Sequence, residues 1–143
     1  MFRLFLYISA LLSCIFITQV YAGENYGTLI VSNINSVYDG DTFRCNIEGV
    51  HGLIGKNISV RINRVDTPEM RSSTWTEREY AERAKAVTAK LLYSASLIEL
   101  RNVQRPKYFR ILADVYVDGI SVADVLIEKN LGRPYFGGSK GSW

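Results

Sequence analysis

Three short segments carry the side chains with which this sequence could do chemistry. They are Asp39-Gly40-Asp41-Thr42, then Arg61 ahead of Val65-Asp66-Thr67-Pro68-Glu69, and Lys107-Tyr108-Phe109-Arg110. Together they supply carboxylates and guanidinium groups of the kind that phosphoryl transfer uses. Asp41 follows a glycine turn and Asp66 stands where a strand-like run ends, so both project oxygens from chain corners, and Thr67 adds a carbonyl or hydroxyl beside them. Hard oxygen donors of this kind suit calcium or magnesium better than a softer metal. Few protein ligands from irregular backbone, with water in the other positions, lean towards the larger calcium; ligand chemistry alone leaves magnesium open. Hydrolysis of a phosphodiester needs an activated water and stabilisation of the charge that builds on the phosphoryl oxygens. Glu69 is the candidate base. Arg61 and Arg110 are the candidate clamps, because a guanidinium stays charged and donates two parallel hydrogen bonds to phosphate, which lysine does not. Arg110 has the alternative role of acting on the leaving oxygen.

Each segment taken alone has an ordinary structural use. Asp-Gly is a common turn, Asp-Thr-Pro-Glu suits a helix cap, and an isolated arginine is usually a surface charge. The chemistry therefore requires that all three segments meet. Strict strand alternation sets a condition on that meeting: it puts Arg61, Asn63 and Val65 on one face and Asp66 on the other. Arg61 and Asp66 converge only if Asp66 lies beyond the strand end or the strand is bulged or strongly coiled.

The elements that must position these residues are legible as changes of period. Residues 28–34 are rich in β-branched side chains, Asp39-Gly40 marks a turn, and a second strand is expected over 42–47. Gly49, Gly52 and Gly55 mark a long, flexible connection. Residues 58–65 alternate apolar with polar positions, as a half-buried third strand does, and Thr67-Pro68 ends it. From Thr76, which can cap a helix, Tyr80, Ala84, Val87, Leu91 and Leu92 recur at helical spacing. Residues 97–100 and 111–117 read as two further strands, Asp118-Gly119 as a turn, and 122–129 as a short helix stopped near Gly132 and Pro134. Periodicity by itself predicts an α+β domain. Five strands with one helix after the third and another after the fifth fit a small, partly open barrel of the oligonucleotide-binding type.

The rest of the composition mainly excludes. A chain of 143 residues, 48% hydrophobic and 22% charged, is an ordinary globular polypeptide with one core's worth of residues. Arg3, the apolar run 4–18 and Val20-Tyr21-Ala22 follow the plan of an export signal cleaved after Ala22, leaving one domain over 23–143 in a secreted or periplasmic protein. An uncleaved membrane anchor is the alternative use of that run. Cleavage would remove Arg3 and no acid, leaving 16 basic and 14 acidic residues, too mild a balance to identify a polyanionic partner by itself. Cys45 would then have no cysteine to pair with, and with His51 as the only histidine a cysteine and histidine zinc site is excluded.

At the three segments the chain resembles the staphylococcal nuclease (thermonuclease) family. That family shares an Asp-Gly-Asp-Thr turn, an arginine ahead of Val-Asp-Thr-Pro-Glu, and a later Tyr-Gly-Arg. The likeness spans about residues 28–135. It implies a five-stranded oligonucleotide-binding barrel with two helices, Asp41, Asp66 and the Thr67 carbonyl as calcium ligands, Glu69 as general base, and Arg61 and Arg110 as phosphate-binding residues. It also implies hydrolysis of DNA and RNA to 3′-phosphate products. Single strands or frayed duplex are expected as substrate because the backbone must enter a cleft between barrel and loops, and the cleaved chain is expected to be a monomer with no stable membrane association. Lys107, Tyr108 and Tyr135, with Phe136, are the candidates for contacting and stacking on bases. Phe109 stands where the family has glycine, and the loop after Met70 carries no lysine. The rival implication is a barrel that binds nucleic acid without cutting it.

Overall fold

The computed structural model describes residues 24–106 and 109–143. The expected export signal and the two candidate contact residues Lys107 and Tyr108 lie outside the described residues. β1 (Leu29–Val37) and β2 (Thr42–Ile47) form an antiparallel hairpin, followed by β3 (Ile58–Ile62), β5 (Ile98–Gln104) and β6 (Arg110–Val117). The sheet order β3-β2-β1-β5-β6 closes on itself because β3 also pairs in parallel with β6, from Ser59↔Arg110 to Ile62↔Ala113. The result is the expected five-stranded barrel. Alternation accounts for it: β3 and β6 bury every second residue, and the inward set includes Phe43, Val60, Ile62, Leu100 and Val115. Cys45 belongs to that inward set, and burial pushes its thiol up to about 12, so it acts as a small hydrophobe.

Other elements differ from the expectation. The connection after β2 contains one helical turn, α1 (Gly52–Gly55), so the described residues hold three helices where two were expected. The third expected strand is two: β3 ends at Ile62, and β4 (Arg64–Asp66) leaves the barrel to pair with β8 (Arg133–Tyr135). β8 and the two-residue β7 (Ile120–Ser121) had no signal of their own. Pro134, read as a helix stop, sits in a two-stranded ribbon at a position where proline is tolerated. α2 (Trp75–Ser94) starts after Thr74, which makes no side-chain capping bond, instead of at Thr76, and it buries Ala81, Ala84, Thr88 and Leu92, whereas Tyr80 stays 40% exposed. The small residues let the helix lie close against the β1–β2 turn. α3 (Val122–Glu128) starts at Ser121, whose hydroxyl accepts from the Asp124 amide at 3.2 Å.

No helix among the described residues is long and apolar enough to cross a membrane. The barrel interior carries the stability. Leu100→Ala, at a fully buried position, should lower the unfolding free energy by about 2–5 kcal/mol, whereas Ile120→Ser, at a half-exposed one, should change it by less than about 0.5 kcal/mol. Urea unfolding of the two variants distinguishes a packed barrel from a loose one, in which both effects would be small.

Candidate active site

The β1–β2 turn is held from three sides. Gly40 is wedged so tightly that an added Cβ would lie 2.7 Å from the Ala84 Cβ and 2.9 Å from the Thr67 hydroxyl. The buried Thr88 hydroxyl on α2 donates to the Gly40 carbonyl at 2.6 Å. The Asp39 carboxylate accepts from the Asp41 amide at 3.1 Å. These contacts present the Asp41 carboxylate, itself 1% exposed, to the chain that follows β3. One of its oxygens accepts from the Thr67 amide at 3.0 Å, the other from the Thr42 hydroxyl at 3.0 Å and from Arg61.

Arg61 and Asp66 do meet, and the condition set by alternation is satisfied by a break in the strand. Asn63 separates β3 from β4, and Arg64 takes a left-handed backbone with φ 65°. The corner is fastened by Asn63 donating to Asp114 at 3.0 Å and by Arg64 pairing with Asp124 at 2.8 Å. The phase of the chain is thereby reset. The Arg61 guanidinium bridges Asp41 and Asp66, reaching the Asp66 Oδ1 at 3.2 Å.

Asp66 is 1% exposed and gathers four donors: Arg61, Lys140 at 2.8 Å, Arg133 at 3.4 Å and the Trp143 indole at 3.3 Å. Burial acts to raise its carboxyl, and Lys140 and Arg61 outweigh that and hold it below the usual range. Arg133 stands opposite Asp66 in the β4–β8 ribbon, which Gly132 permits by approaching Val65 more closely than any Cβ would allow. Arg133 also stacks on Trp143, at 4.4 Å, and donates to the carbonyls of Gly141 and Ser142, so it straps the chain end over the site.

Glu69 lies past the corner, half-exposed, with Lys140 at 3.0 Å as its partner. It opens into a cavity of about 400 Å³ shared with Arg61, Arg110, Tyr135, Tyr38, Asp39, Thr42 and Lys140. Arg110 opens β6 opposite Ser59, so it projects from the same outer face as Arg61 despite the phenylalanine before it. The structure therefore brings together Asp41, Arg61, Asp66, Thr67, Glu69, Arg110 and Tyr135. Phe136 is 81% exposed and does not line this cavity. Lys140, Arg133, Trp143 and Thr88 belong to the site and were not foreseen. Nothing in the spacing of Gly137-Gly138-Ser139-Lys140-Gly141-Ser142-Trp143 signals that this stretch folds back onto Asp66.

Chemically this is an open anion site lined by two guanidinium groups and an ammonium. A solvent-facing carboxylate stands at its rim and a buried carboxylate pair beneath. The pair fits a hard divalent cation by donor type: Asp41 and Asp66 are close enough for one guanidinium to span them, with Thr67 adjacent. Among the described residues no cluster of three or more acidic, histidine or cysteine ligands exists, so water would have to complete the shell.

Asp39, 6% exposed, is pushed up to about 6 by burial and by the Asp41 carboxylate beside it. A folded carboxyl that titrates above its ordinary 3.8 contributes stability that is full below about pH 4 and is lost as pH rises through about 6. Asp39→Asn removes that dependence. In metal-free buffer the variant should gain on the order of 1–2 kcal/mol relative to the parent between pH 4 and pH 7. Urea unfolding at the two pH values measures it, and an equal difference at both contradicts the reading.

The geometry can be set beside known proteins. The family described as staphylococcal nuclease homologue matches residues 59–140. That stretch runs from β3 to the strap and takes in Arg61, Asp66, Thr67, Glu69, Arg110 and Lys140. Endonuclease YncB of Bacillus subtilis (strain 168) is 34% identical over 112 residues, which cover 77% of this chain and 50% of that protein. SPbeta prophage-derived endonuclease YokF of the same organism is 33% identical over 108 residues, covering 73% of this chain and 34% of that protein. The chain thus spans half or less of the length of these relatives. With the family match extending over more than half of the chain, and with the barrel and its arginine and carboxylate cluster in place, the chain belongs to the staphylococcal nuclease homologue family.

Proposed function

We propose that this chain is a nuclease that hydrolyses phosphodiester bonds of DNA and RNA, with calcium as its cofactor and single-stranded or frayed nucleic acid as its substrate. One observation carries the reading: Arg61, Arg110 and Glu69 face a single open cavity directly above the buried pair Asp41 and Asp66. The word endonuclease in the names of both relatives supports it. The N-terminal pattern supports an exported protein, cleaved after Ala22 and working in the periplasm or outside the cell.

Arg61 and Arg110 hold the phosphate, and the outer face of the barrel fixes their separation. Arg61 is oriented in advance by the two aspartates, so little side-chain freedom is lost when it binds an anion. Glu69 lines the cavity and is open to solvent, as a group that takes a proton from water must be. In the hydrolytic step the water oxygen bonds to phosphorus while its proton passes to Glu69. The bond from phosphorus to the 5′ oxygen breaks, leaving a 3′-phosphate, and the departing oxygen is protonated from solvent with Arg110 donating a hydrogen bond to it. A calcium ion held by Asp41, Asp66 and the Thr67 carbonyl would supply charge neutralisation and polarise the water. Lys140 pairs with both Asp66 and Glu69 and so links the buried carboxylate to the one at the rim.

Single-stranded DNA and RNA should be degraded with calcium and left intact, at least 100-fold slower, once a chelator is added. Undiminished cleavage in chelator, or equal cleavage with magnesium alone, overturns the calcium assignment. Glu69→Gln should lower turnover by roughly 10²–10⁴-fold while binding single-stranded DNA within about threefold of the parent. Near-parental turnover would mean that another group is the base.

A further inference from the structure

A second groove adjoins the cleft through Arg110. It has a volume of about 430 Å³ and is walled by Arg44, Lys56, Ser59, Arg110, Phe109 and the α1 turn bearing Leu53 and Ile54. Its floor is the outer face of the barrel. Arg44 pairs across to Ser59, and Ser59 to Arg110, one rung along from the pair Thr42 and Arg61. Successive outward rungs are about 7 Å apart, a step comparable with one nucleotide of an extended single strand. The groove thus continues, in register, from the phosphate site.

Two kinds of group line it. Arg44, Lys56 and Arg110 make it cationic, and Arg44 is aimed along the floor by its bond to the Asn57 carbonyl at 2.9 Å. Phe109 and Leu53 are apolar yet 71% and 85% exposed, one just before β6 and the other on the α1 turn, and both line the groove. Neither exposure is incidental to a frayed loop. The His51 ring caps α1 by accepting from the Leu53 amide at 3.2 Å, and its carbonyl accepts from Ile54 and Gly55 at 2.9 Å. Arg105 stacks on the Phe109 ring at 4.9 Å. Ordered apolar faces between cations are what a flat, anion-linked ligand requires: the rings stack and the linkers are neutralised.

We propose that this groove is a nucleotide subsite that takes the residue of a single strand next to the scissile phosphate. Its base packs between Phe109 and Leu53, and its outer phosphate lies against Arg44 and Lys56. The proposal rests on reading the cleft as a phosphodiester site. It gives one use to the α1 turn, which the sequence did not predict, and to the phenylalanine that stands where the family has glycine, since both line one groove. The subsite favours single strands, because a base paired in a duplex is not free to enter between two side-chain faces.

The test uses the double variant L53A/F109A, whose exposed positions leave the core untouched. It is compared with the parent and with F109W, which keeps an aromatic face. Affinity for a fluorescently labelled single-stranded DNA hexanucleotide is measured in chelator, so that binding is read without cleavage. Hydrolysis of bis(4-nitrophenyl) phosphate, too small to reach the groove, is measured with calcium. L53A/F109A should bind the hexanucleotide about tenfold more weakly, the size of one lost base–aromatic stack, with F109W near the parent and the small diester hydrolysed equally by all three. Equal hexanucleotide affinity of parent and double variant, or no binding by the parent, overturns the subsite. If the double variant loses affinity while the parent cleaves neither compound, the subsite stands and the nuclease reading fails.

Discussion

Two carboxylates removed from water beside each other repel, and each would sooner take up a proton than stay charged in that position. In this barrel Asp41 and Asp66 are both about 1% exposed, and one guanidinium, that of Arg61, spans them. The rest of the site follows from that pairing. Arg61 must leave the barrel wall on its outer face, the chain must break its strand phase before Asp66, and the β1–β2 turn must be pressed in far enough for Asp41 to meet it. Each requirement has its own device: the left-handed Arg64, the missing side chain at Gly40, and the Thr88 hydroxyl of α2 on the turn.

The same electrostatics explains the end of the chain. Asp66 still has lone pairs after Arg61 is satisfied, and the β4–β8 ribbon delivers Arg133 opposite it, while the segment beyond delivers Lys140 and the Trp143 indole. A carboxylate with four donors is a stable anion at any neutral pH. Burial alone would have made it an acid. Glu69 differs in kind: it shares Lys140 but stands half-exposed at the rim of the cavity. Two carboxylates three residues apart are thus set at different depths, one buried among cations and one at the open rim of the cavity.

Closure of the barrel ties this site to the proposed nucleotide groove. Because β3 and β6 run parallel and in register, Arg110 comes level with Ser59 and one rung from Arg61, although 49 residues separate the two arginines in sequence. The outer faces of β2, β3 and β6 then form a single strip carrying Arg44, Arg61 and Arg110, along which the proposed nucleotide groove continues from the cleft. A strand of nucleic acid laid on it meets rigid backbone, and the walls come from the loop after β2 and from the start of β6.

Much of the site was legible in the sequence because its residues sit in local patterns that have local causes. Asp39-Gly40 must turn, Thr67-Pro68 must end a strand, and alternation over 58–65 predicts which side chains of the third strand enter the core. The barrel itself came from the count and order of elements together with family likeness. Lys140, Trp143 and Arg133 were invisible, since a charge in a glycine-rich stretch has no period and acquires a partner only when β8 pairs with β4. Thr88 carries no local signal, because its acceptor, the Gly40 carbonyl, is 48 residues away. The sequence determined which groups are available and which short segments bend. Only the tertiary structure decided which of them share a carboxylate, because that depends on distances between segments that no local preference encodes.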